Sequence, residues 1–222
     1  MTNLKALPQD IISEVKNAVG ELDKAVTIIF VGKDGACETC EITENLADDF
    51  ATLFPDKINV KKLKLGDEEL KKYGIDKAPA LAIETQDGDF RNIVFYGLPA
   101  GHELSSFIEA IKKMSTGKNA IPVSDTMKEK LKKIDKPVKI EVVVTPSCPY
   151  CPRAVILAHN FAYENPDYIR ACMIEVYQFP EIGEKYNTSS VPQIRINENT
   201  ETLGAIPENM LYDTIMQALS EN

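Results

Sequence analysis

Cys37-Glu-Thr-Cys40 and Cys148-Pro-Tyr-Cys151 sit at matching places in two halves of the chain. Each follows an apolar run rich in β-branched residues, Ala25-Val-Thr-Ile-Ile-Phe-Val31 in one half and Val138–Thr145 in the other. Each is followed at nearly the same distance by an apolar residue and a proline, Ala78-Pro79 and Val191-Pro192. Two thiols two residues apart at the start of a helix can close and reopen a disulfide, so dithiol chemistry is the first function to consider.

Outward from the cysteines, the order of elements repeats. In the first half, residues 7–20 read as an amphipathic helix and 25–31 as a buried strand. A helix then runs from the first motif to about Leu53, followed by a strand at Ile58–Leu65 and a short helix at Asp67–Tyr73. Ala80–Thr85 and Arg91–Tyr96 flank Gln86-Asp-Gly-Asp89 as a hairpin, and a helix covers 101–114. Ser115–Ala120 has the composition of a linker. The second half then gives a helix near 124–134, a strand at 138–145, the second motif with its helix to Tyr163, and a strand at 169–177. A short helix to Tyr186, a tighter hairpin at 193–197 and 201–204, and a helix at 208–219 complete it. Before each proline stands a Lys-Tyr pair and a turn residue: Lys72-Tyr73-Gly74 and Lys185-Tyr186-Asn187, at identical distances from Pro79 and Pro192. Gly and Asn tolerate the left-handed conformation that ends a helix. These coincidences predict a duplication into two α/β units, 1–117 and 118–222, each a mixed sheet flanked by helices with a right-handed crossover.

Strand, Cys-x-x-Cys, helix, strand, short helix, proline, hairpin and helix is the order of the thioredoxin fold. Lys72-Tyr-Gly-Ile-Asp-Lys-Ala-Pro79 resembles the thioredoxin segment leading to its cis-proline, and Cys148-Pro-Tyr-Cys151 is similar to the glutaredoxin motif. Two such units in one chain resemble the two-domain protein disulfide oxidoreductases found mainly in thermophiles. That resemblance implies a tandem of thioredoxin-like folds acting as a thiol–disulfide oxidoreductase on other proteins, and contributing to cell redox homeostasis. Cys37 and Cys148 would attack, and Cys40 and Cys151 would resolve. Pro79 and Pro192 would be cis, with Ala78 and Val191 offering main-chain groups to an extended substrate. It implies no bound cofactor beyond the redox-active pairs Cys37–Cys40 and Cys148–Cys151. The expected electron donor is a thioredoxin-reductase-like flavoprotein.

Composition bounds the partners. Of the 222 residues, 44% are hydrophobic and 27% charged, as in ordinary soluble domains. A net charge of −9 without a basic stripe argues against nucleic acid. Met1–Asp10 lacks the apolar core of a signal peptide and no run reaches membrane-spanning length, so a cytoplasmic address is expected. The fifth cysteine, Cys172, lies in the apolar run 169–176 and reads as a small buried hydrophobe.

The two sites are not expected to behave alike. Asp34, Glu38, Glu41 and Glu44 surround the first, and one such charge about 6 Å away shifts a thiol by roughly half a pK unit in water. Pro149, suited to a first helical turn, and Arg153 flank the second. Cys148 is therefore predicted to ionise first. Thioredoxins place a buried aspartate six residues before the first cysteine; Val31 and Val142 stand there, and Glu141 should face the other side of its strand. His102 and His159 read as packing or surface residues, which leaves proton transfer without an owner. Three rivals remain: a cysteine-held zinc or iron–sulfur site, one silent unit serving as scaffold, and an electron carrier between a flavoprotein reductase and a peroxidase. The distance between the cysteine pairs does not suit an intramolecular zinc site.

Overall fold

The computed structural model describes residues 4–221; Met1–Asn3, part of the stretch read above for a leader, lie outside them. Strand β1 (Val26–Gly32) is buried at every position but Thr27, as its β-branched composition requires. It runs parallel to β2 (Ile58–Lys64) and antiparallel to β3 (Ala80–Thr85), and β3 pairs antiparallel with β4 (Phe90–Tyr96). The strand order is β2-β1-β3-β4. A parallel pair needs a crossover, and here helix α2 (Cys40–Leu53) supplies it. α2 buries Leu46, Ala47, Phe50 and Leu53 against the sheet. Phe50 and Phe95 each meet Phe107 edge to face at 5.3 Å, the geometry aromatic quadrupoles favour. Phe107 comes from α3 (Leu104–Thr116), which runs two residues into the expected linker. The stretch expected as a helix at 67–73 is a 3-10 turn at Glu68–Lys72.

α1 (Ile12–Val19) and the segment before it are tied to α2 by a buried carboxylate. Asp49, 3% exposed, accepts hydrogen bonds from the amides of Lys5, Ala6 and Leu7 at 2.7–3.1 Å. Removing a charged acceptor strands buried donors, at about 1.5–3 kcal/mol per charged hydrogen bond. Asp49→Ala is therefore expected to cost about 2–4 kcal/mol, read from the urea midpoint. A loss under about 0.5 kcal/mol, the size of an ordinary surface change, would show that the grip is idle.

The second half repeats the plan. β5 (Val138–Val144) runs parallel to β6 (Ile169–Glu175) and antiparallel to β7 (Gln193–Ile196), which pairs with β8 (Thr200–Leu203). Even the register recurs: the first residue of β1 faces Ile58, and the first of β5 faces Ile169. Helix α5 (Cys151–Glu164) is the crossover, followed by α6 (Pro180–Lys185) and α7 (Glu208–Ser220). Ser124 caps α4 (Asp125–Leu131) by accepting the Met127 N–H.

The chain divides into two compact units, and their border is more interleaved than a single cut. The first comprises residues up to Phe90 with Val94–Leu98 and Phe107–Asn119; the second comprises Arg91–Ile93, Pro99–Ser106 and Ala120 onward. Among the described residues, no helix is long and apolar enough to cross a membrane.

Candidate active site

Each cysteine pair sits at the corner between a central strand and its crossover helix, where the chain must turn sharply. Both pairs are disulfide-bonded, with Cα–Cα separations of 5.4 Å for Cys37–Cys40 and 5.5 Å for Cys148–Cys151. Neither first cysteine is helical. Regular helix starts at Cys40 and Cys151, so Cys37 and Cys148 face the helix N-terminus from outside it, not from its first position. The proline of the first turn in α5 is accordingly Pro152, not Pro149.

The surroundings of the sulfurs differ. The backbone N–H of Cys151 donates to Cys148 Sγ at 3.1 Å, and the Cys148 N–H bonds the Thr145 carbonyl at 3.2 Å. In the first unit the Cys40 N–H reaches the carbonyl of Cys37 at 3.4 Å instead of its sulfur. Cys148 and Cys151 are 7% and 0% exposed, whereas Cys37 and Cys40 are both half-buried. Of the two cysteines expected to resolve, Cys151 is therefore sheltered from solvent and Cys40 is not.

The acidic field around Cys37 is also weaker than the sequence implied. Lys64 pairs with Asp34 at 2.6 Å and Lys62 with Glu44 at 2.9 Å, two lysines of β2 that the sequence count left out. Hydrogen bonds to Asp48 and Glu44 raise the Lys62 pKa. Glu38 and Glu41 have no such partner among the described residues. Arg153 is exposed beside the second site.

Both Ala78–Pro79 and Val191–Pro192 bonds are cis. The Pro79 carbonyl accepts from Gly97 N–H at 2.9 Å and the Pro192 carbonyl from Gly204 N–H at 2.8 Å, the same bond in each unit. The Val191 carbonyl oxygen lies 3.7 Å from Cys148 Sγ. No equivalent approach joins Ala78 to Cys37 among the described residues.

The repeated Lys-Tyr pair has a purpose here. Gly74 and Asn187 take left-handed φ values of 56° and 48°, turning the chain toward each proline. Tyr73 Oη then donates to Glu84 at 2.9 Å, and Tyr186 Oη donates to Glu141. Burial, then the bonded glutamate, pushes both phenol pKa values up. Glu141 faces this network and Lys139, 2.8 Å away, as its strand parity predicted. Beneath Val191, Arg195 and Gln193 donate to the Tyr186 carbonyl at 2.8 and 3.2 Å, which fixes the loop ahead of Pro192.

One buried acid was not singled out in the sequence. The 3-10 turn Gly101–Glu103 belongs to the second unit and packs against α5. His102 N–H donates to the Pro146 carbonyl at 3.0 Å, two residues before Cys148, and a Cβ at Gly101 would drive into that same oxygen. Glu103 is 1% exposed; Ser106 Oγ donates to its Oε2 at 2.6 Å, while Oε1 has no partner among the described residues. Burial overrides the Ser106 bond and pushes the Glu103 carboxyl up to about 7. By helical spacing it shares a face with Phe107, Ile111 and Met114, and an acid on an apolar face was the signal available.

His102 is exposed and His159 is buried within α5. Cys172 is fully buried, and desolvation raises its thiol pKa. Among the described residues, no group of three or more His, Cys, Asp or Glu is placed to hold a metal.

A thioredoxin-domain family model matches residues 138–217. A thioredoxin of Methanocaldococcus jannaschii is 35% identical over 82 residues, 37% of this chain and 96% of that protein. The crystal structure of a protein disulfide oxidoreductase from Aeropyrum pernix superposes with a TM-score of 0.85 at 29% identity, covering 100% of this chain and 96% of that one. An alkyl hydroperoxide reductase protein of Staphylococcus aureus is 24% identical over 76% of this chain, which spans only 30% of that longer protein. Identity across nearly the whole of a thioredoxin, on a fold repeated around two cysteine couples, places the chain in the thioredoxin-like superfamily as a dithiol–disulfide oxidoreductase.

Proposed function

We propose that the chain exchanges disulfides with other proteins at two sites, each a thioredoxin-like repeat (1–117 and 118–222) holding one cysteine pair and one cis-proline. The carrying observation is that duplicated arrangement: a bridged pair at a strand–helix corner in each half, with a matching cis bond downstream. Cys148 and Cys37 attack as thiolates. One substrate sulfur leaves with the electron pair of the broken bond, and Cys151 or Cys40 then displaces the other. Two electrons and two protons pass to the substrate, and the chain is left with a disulfide. Val191-Pro192 and Ala78-Pro79 present the main chain against which an extended substrate segment lies. The turn carrying Glu103 packs against α5 and is held to the Pro146 carbonyl, and Oε1 of this buried acid has no partner among the described residues, so we assign Glu103 to take the proton that Cys151 must lose. A thioredoxin-reductase-like flavoprotein is the proposed donor that returns the chain to its dithiol form.

The amide on Cys148 Sγ, with no counterpart on Cys37 Sγ among the described residues, supports Cys148 as the more acidic thiol. That asymmetry, together with the alkyl hydroperoxide reductase relative, gives a second reading: an electron carrier with one working pair. Replacing each pair by serine and following insulin reduction separates the two. On the two-site reading each single-pair chain keeps a substantial part of the activity. Full activity without Cys37 and Cys40, and none without Cys148 and Cys151, overturns the two-site reading and leaves one working pair, as the carrier requires.

A further inference from the structure

A groove of about 570 Å³ opens beside Cys148 within the second unit. It begins at Thr145, whose carbonyl holds the Cys148 N–H, and at Val191, 3.7 Å from the sulfur. The hydroxyl-bearing Ser189 and Ser190 line it. Tyr177, 72% exposed, and Glu184 of α6 also line it, and no lining side chain is basic. The neighbouring Lys185 is engaged at 2.7 Å by Glu198, whereas Glu184 has no ion pair among the described residues.

We propose that this groove receives the polypeptide flanking a substrate's cysteine and selects a cationic or neutral protein segment over small anionic disulfides. The inference rests on Cys148 being the attacking thiol. A chain paired against the residues before Pro192 advances about 3.3 Å per residue. The side chain entering the groove therefore belongs to a residue a few positions from the reacting cysteine. A lysine or arginine there meets a carboxylate and an aromatic face together, both of which attract a cation. Glutathione disulfide, whose carboxylates outnumber its amines, meets one negative wall and no positive partner. The resemblance of Cys148-Pro-Tyr-Cys151 to a glutaredoxin motif thus does not extend to the walls around it.

The test uses the full-length chain with Cys37→Ser and Cys40→Ser, reduced beforehand. Mixed-disulfide formation is timed with three peptide disulfides carrying Lys, Gln or Glu two residues from the cysteine, and with glutathione disulfide. The Lys peptide is expected to react about fivefold faster than the Glu peptide at low salt, the size of one partly screened charge pair. Glutathione disulfide should be slowest. Glu184→Lys should reverse the Lys-to-Glu order relative to the Gln peptide and speed glutathione disulfide. An unchanged order in Glu184→Lys, or glutathione disulfide matching the Lys peptide, overturns the subsite. Equal rates for all probes sink the subsite alone; no reaction with any of them sinks the reading of Cys148 itself.

Discussion

Replacing Cys151 with serine, in a chain already lacking Cys37 and Cys40, is expected to cut multiple-turnover disulfide reduction at least about a hundredfold while sparing the first attack. Cys151 is fully buried, so no outside thiol shares its position, and its Cα stands 5.5 Å from that of Cys148. Its amide, which bonds Cys148 Sγ at 3.1 Å, survives the substitution, so the attacking thiolate keeps its stabilisation. What is lost is the nucleophile bridged to Cys148 and so aligned to expel the product, because a serine hydroxyl is not ionised near neutral pH. The mixed disulfide should accumulate with one substrate per chain, visible by intact mass without reductant. Turnover unchanged from the parent would mean that release does not need Cys151, and the assignment of attacking and resolving thiols would fall.

The second large effect joins a rate to a stability. Glu103→Gln is expected to slow the resolving step about a hundredfold, the usual scale of a positioned base. It should also erase the rise in that step through pH 7, since only the ionised carboxylate accepts a proton and its pKa is about 7. Stability should move the other way. The folded-state pKa lies above the ordinary value of 4.5, so the native chain holds a proton that the unfolded chain releases. Native stability is therefore complete below about pH 4.5 and declines as pH climbs through 7. A shift of that size corresponds to roughly 3 kcal/mol as an upper bound. The glutamine variant, which cannot ionise, should outlast the parent in urea at pH 8 by up to that amount and match it at pH 4. A pure packing role predicts no change in the pH profile of resolution, so the profile decides.

Much of this architecture could be read from residue types. The buried strands announced themselves through unbroken β-branched runs, and the duplication through Lys-Tyr pairs whose hydroxyls turned out to hold both pre-proline loops. The left-handed turns at Gly74 and Asn187 followed from the two residues best able to adopt them. What escaped were partnerships formed across long stretches of chain. Asp49 lies on a helix rich in acids, and nothing local marks it as the acceptor for three distant amides. Lys62 and Lys64 disarm half of the acidic field at Cys37 from a neighbouring strand, which a count of nearby sequence could not include. Tyr73 and Tyr186 reach glutamates on strands that are not equivalent, β3 in one unit and β5 in the other, so the repeat predicted the donors but not the acceptors. Glu103 resembled a routine helix-start acid because the turn that buries it owes its position to the Pro146 carbonyl, far along the chain.

The strip Pro99–Ser106 gives the two halves an unequal inheritance. Severing the gene between codons 117 and 118 would yield a downstream fragment with its own sulfur couple but without Glu103, the buried acid proposed above to take its proton. Kept in one chain, the second sulfur couple retains a strip of polypeptide that a cut at the repeat boundary would take away.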